Sequence, residues 1–212
     1  MINFLNQHGS ELIIKTWEQI YISALALFLG ILVAVPLGII LTRYEKTAKY
    51  VMSISSMLQT IPSLALLTLM IPIFGIGKLP SIVALFIYSL LPILRNTYIG
   101  MNKVNKNLID AAKGLGMTTA QSIFKVEIPM AMPIIMAGVR LSAVYVISWS
   151  TLASYIGAGG LGDFIFNGLN LYNPALIIGG TIPVSILAIL TDYLLGKFEK
   201  KVTPVTKSGV KK

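Results

Sequence analysis

Five apolar runs of bilayer length, at about 20–42, 51–74, 79–98, 141–158 and 175–196, dominate the sequence. Each meets the requirement of roughly 20 mostly apolar residues for crossing a hydrocarbon core. Lipid offers the backbone no hydrogen-bond partners, so such runs must satisfy their own N–H and C=O groups as helices. An all-α integral membrane protein with about five transmembrane helices is therefore expected. The third run has the shortest uncharged core, with Pro80 and Pro92 near its ends. Only 12% of the 212 residues are charged, half of the roughly 25% usual in soluble domains. Cysteine is absent and His8 is the single histidine, which excludes disulfides, thiolate chemistry and a His/Cys metal cluster. The start, Met1-Ile-Asn-Phe-Leu-Asn, lacks the cationic stretch of a secretory signal, so the first run is read as a retained span.

The cations orient the bundle. Arg43, Lys46 and Lys49 follow the first run; Arg95, Lys103, Lys106, Lys113, Lys125 and Arg140 separate the third from the fourth; the rest of the group follows the fifth. Fifteen of the 17 Lys and Arg thus share one side, leaving Lys15 and Lys78 opposite. The positive-inside rule makes that side cytoplasmic, with the amino terminus outside and the carboxyl terminus inside. The net charge of +9 is then a topology signal and implies no nucleic-acid partner. A guanidinium near mid-depth costs about 3 kcal/mol or more. Arg140 is accordingly expected at the interface, with 130–139 as a helical stem below the membrane. Residues 1–18 read as an external amphipathic segment, with Ile13, Trp17, Ile20 and Tyr21 on one face and mainly Glu11, Lys15 and Glu18 on another. Residues 199–212 read as a basic cytoplasmic tail near anionic lipid. No repeat, low-complexity block or linker marks a second domain.

The long polar loop at 103–129 is predicted to be a helix–turn–helix. Residues 103–113 suit one short helix, with Lys106 and Asp110 four apart, and Gly114-Leu-Gly116 ends it. Thr118 and Gln121 form a capping-box pair that restarts a helix. Ala120, Ile123, Phe124 and Ile128 share a face of this second arm, and Pro129 is expected to limit it. The small Ala111 and Ala112 allow close approach by a partner.

These residues resemble a known pattern. Glu-Ala-Ala-x3-Gly-x9-Ile-x-Leu-Pro marks the permease subunits of bacterial ABC importers, and Asp110, Ala111, Ala112, Gly116, Val126, Ile128 and Pro129 occupy every matching position. The departures are Asp for Glu, Val for Ile and Ile for Leu. The segments Gln59-Thr-Ile-Pro-Ser-Leu-Ala-Leu-Leu, Tyr88-Ser-Leu-Leu-Pro-Ile-Leu-Arg-Asn-Thr and Tyr155-Ile-Gly-Ala-Gly-Gly-Leu-Gly-Asp look like the osmoprotectant branch, whose members import glycine betaine, carnitine or choline.

The resemblance covers roughly 19–198 and implies a type I, methionine-importer-like permease fold with a cytoplasmic coupling helix in a bacterial cell membrane. It also implies two ABC ATPase subunits, a second permease subunit (identical or paralogous) and an external substrate-binding protein. This chain would bind no cofactor and catalyse nothing; ATP would be used by the partner. The loop helix, seated on an ATPase subunit, would carry its closure to the spans, which alternate between inward- and outward-open states.

A methionine or other amino-acid importer shares the loop pattern and stands as the alternative. A channel working without ATP leaves the helix pair with no purpose. A membrane enzyme lacks a Ser/His pair or paired intramembrane carboxylates.

Other signals are read conservatively. Gly157-Ala-Gly-Gly-Leu-Gly162 satisfies G-x-G-x-x-G but lacks a strand–helix–strand context, so tight turns or close helix contact are expected. Gly75-Ile-Gly-Lys78 lacks the spacing of a nucleotide loop. Asp192 is expected to pair with a nearby cation or to be locally solvated, and Asp163 to sit in a solvated external loop. Gln59, Thr60, Ser63, Ser148 and Ser150 are candidates for the translocation path, although such residues also bond across helices. Tyr145, Trp149 and Tyr155 suit packing or interfacial roles, with cation–π contact to a quaternary ammonium as the sharper reading.

Overall fold

The computed structural model describes residues 2–202, with side chains from residue 7 onward; the basic tail past Val202 lies outside them. Among the described residues the chain is helical and without strands. Helix α1 (Ile2–Leu41) has 40 residues, or about 60 Å at 1.5 Å per residue, so it extends well past a hydrocarbon core of about 30 Å. The amphipathic segment and the first span are one unbroken helix. Ile13, Trp17 and Tyr21 are exposed along one face, while Lys15 and Glu18 turn inward.

The second run departs from expectation. It is two helices, α2 (Glu45–Thr60) and α3 (Ser63–Phe74), meeting at 97°. Pro62 explains the break: it has no N–H to continue the helix, and it drives the preceding residue out of the α region. Ile61 is accordingly extended, with φ −65° and ψ 127°.

The third run, expected to be marginal, is the centre of the molecule. Helix α4 (Lys78–Asn102) passes through both prolines and packs chiefly against α1 and the later helix α7. Small residues set the close approach, as membrane helix packing requires. A Cβ added at Gly38 would lie 2.7 Å from Thr97 Cβ, and one at Gly138 would lie 2.8 Å from the Pro92 carbonyl. Ile22, Leu67, Leu85, Tyr88 and Val146 fill one half of the core; Ala34, Leu41, Ile93, Leu94 and Val139 fill the other.

After the polar loop, α7 (Ile128–Ala153) begins well before position 141. The stem and the fourth span are a single helix, which ends in a 3-10 turn (Ser154–Ile156) instead of running to 158. Arg140 sits inside this helix and does not mark its start, because Asp192 on the last helix supplies its counter-charge. The polar loop itself holds two short helices, α5 (Lys106–Gly114) and α6 (Thr119–Ser122), and after α7 a short helix α8 (Gly162–Asn170) leads into α9 (Pro174–Val202).

Candidate functional site

The loop at the basic end forms a compact elbow. Helix α5 (Lys106–Gly114) starts at Asn105, whose side chain accepts from the Asn107 N–H at 2.9 Å, a cap that sequence reading missed. Its exit is a Schellman closure: Met117 N donates to Ala112 O at 3.1 Å and Gly116 N to Lys113 O at 2.9 Å. That closure needs a left-handed residue, and Gly116 supplies it with φ +78°. Thr118 then caps helix α6 (Thr119–Ser122), with both halves of the expected capping box formed through Gln121.

Two details of the elbow differ from expectation. Asp110 approaches Lys113 at 3.8 Å and not Lys106, and both side chains of that pair are exposed. Pro129 ends nothing. A π turn (Ile123–Glu127) carries α6 into α7, with Ile128 N–H reaching back to Ile123 O. The α-type bonding is thus already interrupted ahead of the proline, whose missing N–H falls in the first turn of α7, where it is tolerated. The second arm is therefore continuous with the stem, so a displacement of the elbow is a displacement of α7.

The faces of the elbow are divided. Ala112 is buried, and Ile109, Ile123 and Ile128 pack onto Met101, Val104, Ala131 and Ile135. Val126 is half-buried, while Asp110, Ala111, Ala120 and Pro129 are exposed. Leu108, Leu115 and Phe124 also point outward, so the expected face divides: Ile123 and Ile128 pack on the stem, while Ala120 and Phe124 stay exposed. Glu127, which the pattern passes over, is only 2% exposed. It accepts from Arg43 Nη2 at 2.6 and 2.8 Å and from Ser122 Oγ at 3.1 Å.

The polar residues suggested for the path fall into two groups. Gln59, Thr60 and Ser63 flank the α2–α3 break. Pro92 cannot donate to the carbonyl of Tyr88 one turn earlier, and Gln59 Nε2 occupies that oxygen at 3.3 Å. The Tyr88 hydroxyl in turn donates to Ile61 O at 2.6 Å, which satisfies the break itself. Tyr88 packs at a tilt against Trp149 with centroids 4.5 Å apart, and Trp149 lies 5.2 Å from Tyr145. Tyr155 is elsewhere, against Phe166. Ser148 is exposed on α7. Ser150 is buried, hydrogen-bonded to Gln19 and, at 3.0 Å, to Ser23.

At the end opposite the elbow, Glu18 gathers three donors: Lys78 at 2.8 Å, Lys15 at 3.3 Å and the Gly160 N–H at 3.1 Å. Asp163 pairs with Lys15 at 2.5 Å and is not a free loop carboxylate. The glycine run is a set of tight turns against α1, as its context suggested. Among the described residues no cluster of His, Asp or Glu is arranged to hold a metal ion.

Residues 20–204 match the family described as the binding-protein-dependent transport system inner membrane component. The chain belongs to that family. Among family relatives, it is 59% identical over 204 residues to the carnitine transport permease protein OpuCB of Listeria monocytogenes, covering 96% of this chain and 94% of that one. It is 58% identical over 211 residues to the glycine betaine/carnitine/choline transport system permease protein OpuCB of Bacillus subtilis strain 168, covering 100% and 97%. The inward-facing MetNI methionine ABC transporter shares the fold, with a TM-score of 0.83 at 24% identity over 91% of this chain and 96% of that one. The all-α, type I importer permease architecture expected from the sequence is thus present, and the family places the chain in a membrane as a multi-pass transport component.

Proposed function

We propose that this permease forms the translocation path for a quaternary-amine osmoprotectant of the glycine betaine, carnitine or choline class. The observation that carries the reading is similarity along the whole chain to permeases named for those compounds. The alternative, methionine or another amino acid, is supported only by distant likeness of fold. ATP is hydrolysed on a separate ABC ATPase, which docks on the elbow at 106–127. A second permease, identical or paralogous, completes the path, and a binding protein delivers substrate at the Glu18 end. The exposed Leu108, Leu115 and Phe124 support this docking site, since apolar surface at the tip of a polar loop suits a protein partner. The basic end faces the cytoplasm.

Co-expression with its ATPase and binding protein in proteoliposomes tests the assignment. ATP-dependent uptake of radiolabelled glycine betaine or choline is the expected result. Uptake of methionine alone, or flux without any ATPase, overturns it. Cysteines placed at 113 or 121 should resist impermeant thiol reagents applied to intact cells; labelling there would invert the orientation.

A further inference from the structure

Glu127 is a carboxylate with 3% side-chain exposure, between Val126 and Ile128 in the sequence of the elbow. A buried charge persists only where it is paired and hydrogen-bonded. Here both oxygens take the Arg43 guanidinium, and Ser122 supplies a further donor. Arg43 lies 84 positions earlier, in the turn that joins α1 to α2.

The elbow is joined covalently to α4 and α7. Its routes to α1 and to the broken span α2–α3 are not covalent. Val35 and Ile39 of α1 touch the apolar cluster beneath the elbow, but apolar packing is non-directional and permits sliding. By contrast, both oxygens of Glu127 close on the one Nη2 of Arg43, at 2.6 and 2.8 Å, a charge-assisted contact that holds the two side chains at a fixed distance.

We infer that Arg43 and Glu127 form a clamp that carries movement of the elbow to the α1–α2 turn, so that the broken span moves together with α7. Glu127 is a positioning residue in this scheme, acting through Arg43. The inference rests on the reading that the ATPase docks on the elbow.

The test uses the complete complex in proteoliposomes and measures glycine betaine taken up per ATP hydrolysed. Glu127→Gln keeps the shape and removes the charge; Arg43→Gln removes the opposing charge and shortens the side chain. Each is expected to lower the ratio roughly tenfold, within the usual range of coupling between sites. The reversed pair Arg43→Glu/Glu127→Arg should return it to within about twofold of the original, a rescue that a purely structural role would not produce. If Glu127→Gln fails to accumulate in membranes, Arg43→Gln decides by the same ratio, since the Arg43 side chain is 41% exposed. Unchanged ratios, with a crosslinker at residue 120 still capturing the ATPase, overturn the clamp and leave the functional reading standing. Failure of that crosslink in the unmodified chain overturns both.

Discussion

Arg140 on α7 and Asp192 on α9 meet in a two-pronged ion pair, Nε to Oδ1 at 2.5 Å and Nη2 to Oδ2 at 2.7 Å. Glu199 stands 3.4 Å from Nη1 on the same face. Gly196, one turn from Asp192, leaves room for the guanidinium, since a Cβ there would lie 3.1 Å from Arg140 Cζ. The contact ties the last helix to the stem that rises from the elbow. The two side chains are 38% and 41% exposed, and Glu199 stays beside Arg140 when Asp192 is removed, so the loss is that of one contact and leaves no unpaired guanidinium. Asp192→Ala should therefore melt slightly below the parent in nanodiscs, and Asp192→Asn, which keeps an acceptor for Arg140, should lose less. An Asp192→Ala variant as stable as the parent would refute the pairing.

Gly116 offers a graded test of the elbow. Its φ of +78° lies in the left-handed region, yet nothing stands within 4 Å of an added Cβ. The penalty on substitution is therefore conformational, about 1–2 kcal/mol for most side chains and less for Asn, which visits this region readily. Gly116→Asn should keep most of the uptake, Gly116→Ala less, and Gly116→Val least, while all three insert into the membrane normally. Equal uptake in the three would show that the left-handed turn is dispensable.

The apolar runs, the cationic side and the capping box were legible because each depends on a local rule: span length, charge sidedness or a three-residue spacing. What escaped depended on partners far along the chain. Pro62 is visible in the sequence, but the 97° break needed the Tyr88 hydroxyl and Gln59 to satisfy backbone groups freed by two prolines. Arg140 read as an end marker because its counter-charge lies 52 positions away. Glu127 was passed over because, within an apolar stretch, a lone carboxylate looks like a solvated residue until Arg43 is placed beside it. Of the path candidates, Ser148 and Ser150 are two residues apart, and only burial separates them.

The glycine run at the far end predicts a strong steric effect. Gly160 has φ +90°, and an added Cβ would sit 2.5 Å from Gln19 Oε1. Gln19 is fully buried and uses that oxygen to accept from Leu161 N at 3.3 Å. Gly160→Ala should cost about 2 kcal/mol through backbone strain, with further loss from displacing Gln19. A lower melting temperature in detergent is the expected measurement, larger than that for Gly9→Ala, where an added Cβ meets nothing within 4 Å.

The chain has no cysteine, so single introduced thiols report directly on which polar residues face water. Ser148 is exposed on α7, and its hydroxyl bonds only to its own helix at Val144 O, 2.9 Å away. Thr60 is likewise exposed at the break and bonds to Met57 O at 2.7 Å. Ser150 is 1% exposed and joins Gln19 and Ser23 between α1 and α7. Cysteines at 148 and 60 should therefore react with a charged, water-soluble methanethiosulfonate in the assembled transporter, and excess glycine betaine should slow that reaction if these positions line its route. A cysteine at 150 should stay unmodified. Ser150→Ala should instead lower stability by about 1 kcal/mol, because it leaves part of the Gln19 amide unpaired in the interior. Rapid modification at 150 with protection at 148 would reverse the inward and outward faces of α7, and would move the route to the α1 side of that helix.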